Sequence, residues 1–83
     1  MPTAAIVDGV QIRFYPREHP PPHFHAILAE YRARIEIQPL RVLNSNFPPA
    51  KLAAVLSWAQ PRTRALLNTW YVVASKKKPE KIR

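Results

Sequence analysis

With 83 residues the chain has room for one domain around one small core, and 47% apolar residues is enough to build that core and too many for a disordered chain. Cysteine is absent, which excludes disulfides, thiol catalysis and cysteine-ligated zinc and fits a reducing, cytoplasmic setting. The formal charge of +8 is uneven: residues 76–83, KKKPEKIR, hold five bases and one acid, so half of the excess lies in the last eight residues. Such a tail is expected to be solvated and flexible, or to reach nucleic acid or an acidic partner. No apolar run approaches the roughly 18 residues of a membrane span, and no basic and apolar leader opens the chain, so a soluble, unexported protein without membrane contact is expected. A core this small also makes a small protein partner or a second copy of the chain an expectation.

Prolines at 2, 16, 20–22, 39, 48, 49, 61 and 79 punctuate the sequence. The stretch IVDGVQIRFY alternates apolar and polar residues on both sides of Asp8-Gly9, a dipeptide suited to the positive backbone angles of a two-residue hairpin turn. Strands are predicted at 3–7 and 10–15, the second with Val10, Ile12 and Phe14 on one face and Gln11, Arg13 and Tyr15 on the other. After the prolines, HFHAIL places Phe24, Ala26 and Leu28 opposite His23, His25 and Ile27. YRARIEI sets Tyr31, Ala33, Ile35 and Ile37 against Arg32, Arg34 and Glu36. If Ala29-Glu30 is a two-residue turn, Leu28 pairs with Tyr31, Phe24 with Ile35, His25 with Arg34 and His23 with Glu36, and both apolar sets share one face. Ala-Glu is poor chemistry for so tight a turn, so a longer loop is the alternative. LRVL at 40–43 is a further short strand.

From Pro48 the period changes to about 3.6. Leu52, Val55, Leu56 and Ala59 share one helical face, and Pro49 suits the first turn. Pro61 interrupts this helix and starts a second, in which Leu66, Trp70 and Val73 recur at helical spacing. The predicted fold is α+β: a small antiparallel sheet of four to five strands followed by two C-terminal helices packed on its apolar face, with its polar face open. Residues 1–75 form the single domain and 76–83 the basic flexible tail.

Several segments together carry a resemblance: MPT at the start, a strand ending FYPREH, PPHFHA, EYRARIEI, the PP…L..VLSWA helix and LLNTW. Over roughly residues 1–71 the chain resembles the bacterial domain-of-unknown-function 4160 family, whose Glu-His-x-Pro-Pro-His-x-His signature falls on Glu18, His19, Pro21, Pro22, His23 and His25. It differs in the basic tail and in Ala29, where a turn glycine is common. The resemblance brings no established activity. It implies a small protein encoded beside another small protein, with toxin-antitoxin-like pairing suggested for the family.

The candidate site lies in EHPPPHFH, residues 18–25, which holds all three histidines. His23 and His25 share a strand face and can converge on one point, whereas three extended prolines would carry His19 roughly 12 Å away. Metal binding would then need Glu36 as third ligand, and no metal and no cofactor are expected. Acid-base chemistry is the sharper candidate, with His23, His25 and Glu36 as its catalytic residues. A carboxylate beside His23 favours its imidazolium, and a guanidinium beside His25 favours its neutral ring, a contrast that suits an acid and a base. Arg13, Tyr15, His23, His25, Arg32 and Arg34 form the expected binding face. The plainer reading makes Glu18, His19, Pro21 and Pro22 a structural motif that aims a strand, with Arg17 and Glu18 solvated and Tyr15, Tyr31 and Phe24 packing. Trp58 lies off the apolar stripe and marks a possible contact surface, and Trp70 lies on it. Partner binding within a toxin-antitoxin-like pair is thus the leading function, and an RNA-binding or metal-independent ribonuclease-type protein is the alternative.

Overall fold

The computed structural model describes residues 3–76 and residue 82. Five strands, β1 (Thr3–Val7), β2 (Val10–Arg13), β3 (His23–Leu28), β4 (Tyr31–Glu36) and β5 (Arg41–Ser45), form one antiparallel sheet in the order β1-β2-β3-β4-β5. Sequential order follows from the short connections, since neighbouring strands joined by tight turns can only pair antiparallel. Asp8 and Gly9 both adopt positive φ, 50° and 82°, as the β1–β2 turn requires. The β3–β4 register places His23 opposite Glu36, Phe24 opposite Ile35, His25 opposite Arg34 and Leu28 opposite Tyr31, so the two-residue alternative holds. Its cost is visible at Ala29, whose φ of 53° brings a Cβ into the left-handed region.

From Pro49 to Ala74 the chain is one joined helical run, which corrects the expectation of two separate helices. Segment α1 (Pro49–Ala59) passes through a single 3₁₀ turn (Gln60–Arg62) into α2 (Thr63–Ala74). Pro61 sits in the first positions of that turn, where a missing N–H costs little, so it tightens the helix instead of ending it. The helical run turns Val55, Ala59, Leu66, Trp70 and Val73 inward onto Val10, Ile12, Phe14, Phe24, Ala26, Ala33, Ile35 and Ile37 of the sheet side. This is the two-layer solution to covering one apolar sheet face.

The two sheet edges differ. At β1 the Ile82 N–H donates to the Ala4 carbonyl (2.8 Å), and Ile82 packs against the core. The expected solvated tail therefore has at least one residue docked; its residues 77–81 and 83 lie outside the described residues. Among the described residues β5 has β4 as its one neighbouring strand; it carries a bulge opposite Arg34 and Ile35 and exposes Val42 and Leu43. No helix among the described residues is long and apolar enough to cross a membrane.

Candidate functional site

The site is built where β3 leaves the proline-rich connection. Residues 14–22 link β2 to β3, with a turn at Pro16-Arg17 in which Arg17 has φ 67°. Proline fixes one backbone angle and the left-handed residue reverses the next, so the chain folds back toward β3 immediately before Glu18. Glu18 Oε1 consequently lies 3.3 Å from His23 Nε2 and hydrogen-bonds His25 Nε2. The two rings are on one strand face because they are two residues apart, and their centroids are 5.3 Å apart.

Each histidine is held from a second side. His23 is 5% exposed, its ring lies 5.0 Å from that of Trp70, and its Nδ1 donates to the Pro21 carbonyl at 2.8 Å. A carbonyl oxygen only accepts, so this bond places a proton on Nδ1 and turns Nε2 toward Glu18. His25 meets Tyr15 edge to face at 4.7 Å. Half-burial works to raise the Glu18 carboxyl, but the hydrogen bond and charge of His25, and then those of His23, outweigh it and hold the carboxyl below its usual value.

This arrangement corrects the sequence reading in three places. Glu18 is not solvated. Glu36, expected to act on His23 from the neighbouring strand, is buried and instead accepts a hydrogen bond from Arg41 Nε at 2.5 Å. Cross-strand pairing brings Glu36 near His23 in register, yet its charge is spent on a different partner. The polar face is also only partly open, because His23 and Glu36 at one end of it are buried. His19 is exposed and stays outside the cluster. Pro21 supplies a carbonyl to His23, and the Pro22 carbonyl accepts from Ile37 N–H at 3.1 Å, which extends the β3–β4 ladder past its last strand pair.

The rest of the expected binding face is a cross-strand row. Arg13 pairs with His25 in the β2–β3 ladder and His25 with Arg34 in the β3–β4 ladder, so His25 has an arginine as its cross-strand neighbour on either side. Directly paired residues share a sheet face, and Arg34 is exposed. Arg13 Nε is buried with no hydrogen-bond partner among the described residues. Arg32 is exposed but turned inward on its own turn, donating from Nη1 to the carbonyls of Ala29 and Tyr31 at 2.6 and 2.8 Å. Tyr15 joins the row through His25. Phe24 is core and Tyr31 packs on Phe47, whereas the half-buried Trp58 carries the Arg62 guanidinium 5.2 Å above its ring.

Comparison with known families adds one match, to the model described as "Domain of unknown function (DUF4160)", over residues 9–71. The chain belongs to the DUF4160 family. The DUF4160 match takes in β2 to β5, the Glu18-to-His25 segment, α1 and most of α2, so the cluster and its cross-strand row both lie within the family region. Neither curated proteins nor solved structures gave a match. Function for this DUF4160 chain is therefore argued from the site itself.

Proposed function

We propose that this protein is a small cytoplasmic RNA-binding protein that holds the phosphates of a single strand on its polar sheet face. The observation that carries the reading is the row Arg13, His25, Arg34 across three adjacent strands, in which a buried Arg13 Nε has no partner among the described residues. Guanidinium groups at fixed cross-strand spacing bind phosphate oxygens in a planar, two-point manner. An unpaired buried donor costs stability in the free protein and is relieved when an acceptor arrives. The Tyr15 ring, in the connection after β2, meets His25 on this face, and such rings suit a splayed single strand better than a duplex groove because exposed bases can stack on them. The His23, His25 and Glu18 cluster beside the phosphates gives such a complex a place for acid-base chemistry on a 2′-hydroxyl. A fluorescently labelled single-stranded RNA should bind the full chain with an affinity that falls steeply as salt is raised. No binding, or binding indifferent to salt, would overturn the reading.

A second reading is favoured by β5. Its outer edge is unpaired among the described residues, and Val42 and Leu43 are each 37% exposed, a combination suited to pairing with a strand of another protein. Beside it, an open cavity of about 410 Å³ is lined by Leu40, Ala53, Leu56, Ser57 and Gln60. We place the partner of a toxin-antitoxin-like pair on this edge. Coexpression with the product of the neighbouring gene, followed by copurification, tests it: capture lost in Val42→Lys supports the edge, and capture unaffected by that change opposes it.

A further inference from the structure

We propose that Glu18, His23 and His25 form a three-ligand site for a divalent transition-metal ion of the zinc class. Each residue can offer one ligand atom, and the three atoms lie within 4.8 Å of one another. Two imidazole nitrogens and one carboxylate oxygen are a ligand set that zinc uses when a fourth position is left for water or substrate. With ligands 2.0–2.1 Å from the ion, neighbouring ligand atoms of a tetrahedron stand roughly 3.3 Å apart. Glu18 Oε1 and His23 Nε2 are separated by 3.3 Å, whereas Glu18 Oε1 and His25 Nε2 are hydrogen-bonded to each other and would move apart as the ion replaces the shared proton.

The hydrogen bonds of His23 point the same way. His23 Nδ1 donates to the Pro21 carbonyl, which leaves the Nε2 lone pair facing a carboxylate oxygen that is itself only an acceptor. Two acceptors at that distance repel unless a cation lies between them. A proton can serve as that cation, and so can a metal ion held by the same atoms. An imidazole that donates its remote N–H to a backbone carbonyl is the usual outer-shell arrangement of a metal-ligating histidine. His25 and Glu18, with side chains 25% and 27% exposed, leave a path for entry and an open coordination position. The expectation of no metal rested on Glu36 as the third ligand. Glu18 supplies that ligand, and the absence of cysteine leaves a nitrogen and oxygen set that favours zinc over the hard ions magnesium and calcium. The site needs no RNA, so it stands or falls separately from the RNA reading.

Isothermal titration of the full, chelator-treated chain with zinc chloride should show one site per chain, and magnesium chloride should show none. Glu18→Gln and His25→Ala should each weaken zinc binding by about 100-fold or more, while His19→Ala leaves it unchanged. Circular dichroism melts without metal establish that each variant folds. Should either fail to fold, cobalt(II) added to wild type provides the alternative readout, with the strong visible bands of a four-coordinate nitrogen and oxygen site expected. Wild type that takes up no stoichiometric zinc, or no cobalt in that geometry, would overturn the proposal. Folded Glu18→Gln and His25→Ala proteins that bind as wild type would do the same, and so would loss of binding only in His19→Ala, which would assign the ion to an exposed histidine.

Discussion

Replacing Arg13 and Arg34 together by glutamine removes two cations from the row that flanks His25 and leaves the strand pairing intact, because both are ladder positions whose backbone bonds remain. For a single strand, the logarithm of affinity falls with the logarithm of salt by about 0.7 for each phosphate neutralised. Two arginines each engaging one phosphate therefore contribute about 1.4 to the slope. Between 50 and 200 mM salt, a fourfold change, the advantage of wild type over the double variant should shrink by roughly sevenfold. Fluorescence anisotropy with a labelled single-stranded RNA across that range gives both slopes. Lys51→Gln serves as the comparison, since its charge on α1 is already met by Asp8 at 3.1 Å. Parallel slopes for wild type and double variant would refute the claim that these two side chains hold phosphates, even if overall affinity fell. A Lys51→Gln effect of equal size would show that net charge alone acts.

Two further predictions concern the fold and the cluster. Ala29→Gly should stabilise the protein by about 0.5–1 kcal/mol, because relief of the left-handed strain at φ 53° exceeds the extra chain entropy of glycine; a thermal melt that rises by roughly 2–8 °C agrees, and a fall would contradict it. Because the Glu18 carboxyl is lowered from 4.5 in the folded state, its contribution is present above that value and is lost as pH falls through the lower folded one. In metal-free solution wild type should thus lose more stability than Glu18→Gln between about pH 6 and about pH 3, measured by urea melts, and parallel losses would refute the pairing.

Periodicity made most of the sheet legible. The β3–β4 register followed from two alternating runs and a two-residue gap, and Asp8-Gly9 announced its own turn. What periodicity does not carry was misread. Glu18 reaches the histidines through a left-handed Arg17 and a nonrepeating nine-residue connection, neither of which leaves a pattern in the sequence. One signal was present: Glu18 is the only acid between Asp8 and Glu30, five and seven residues before the histidine pair. In sequence Pro61 reads as a break, although a proline at the start of a 3₁₀ turn is compatible with a continuing helix. Glu36 was assigned to His23 by register alone, and the competing Arg41 on the next strand was overlooked. The Trp70 contact joins residues far apart in sequence and has no local signature.

Glu18 holds His23 and His25 together as one unit while His19 stays apart. Long-range nitrogen-proton correlation spectra of the imidazole rings, recorded on the metal-free chain, test it most directly. The account predicts that His23 carries its proton on Nδ1, and that Glu18→Gln shifts the Nε2 resonances of both His23 and His25 and leaves those of His19 in place. A His23 ring protonated only on Nε2, or a Glu18→Gln spectrum in which neither His23 nor His25 moves, would contradict it.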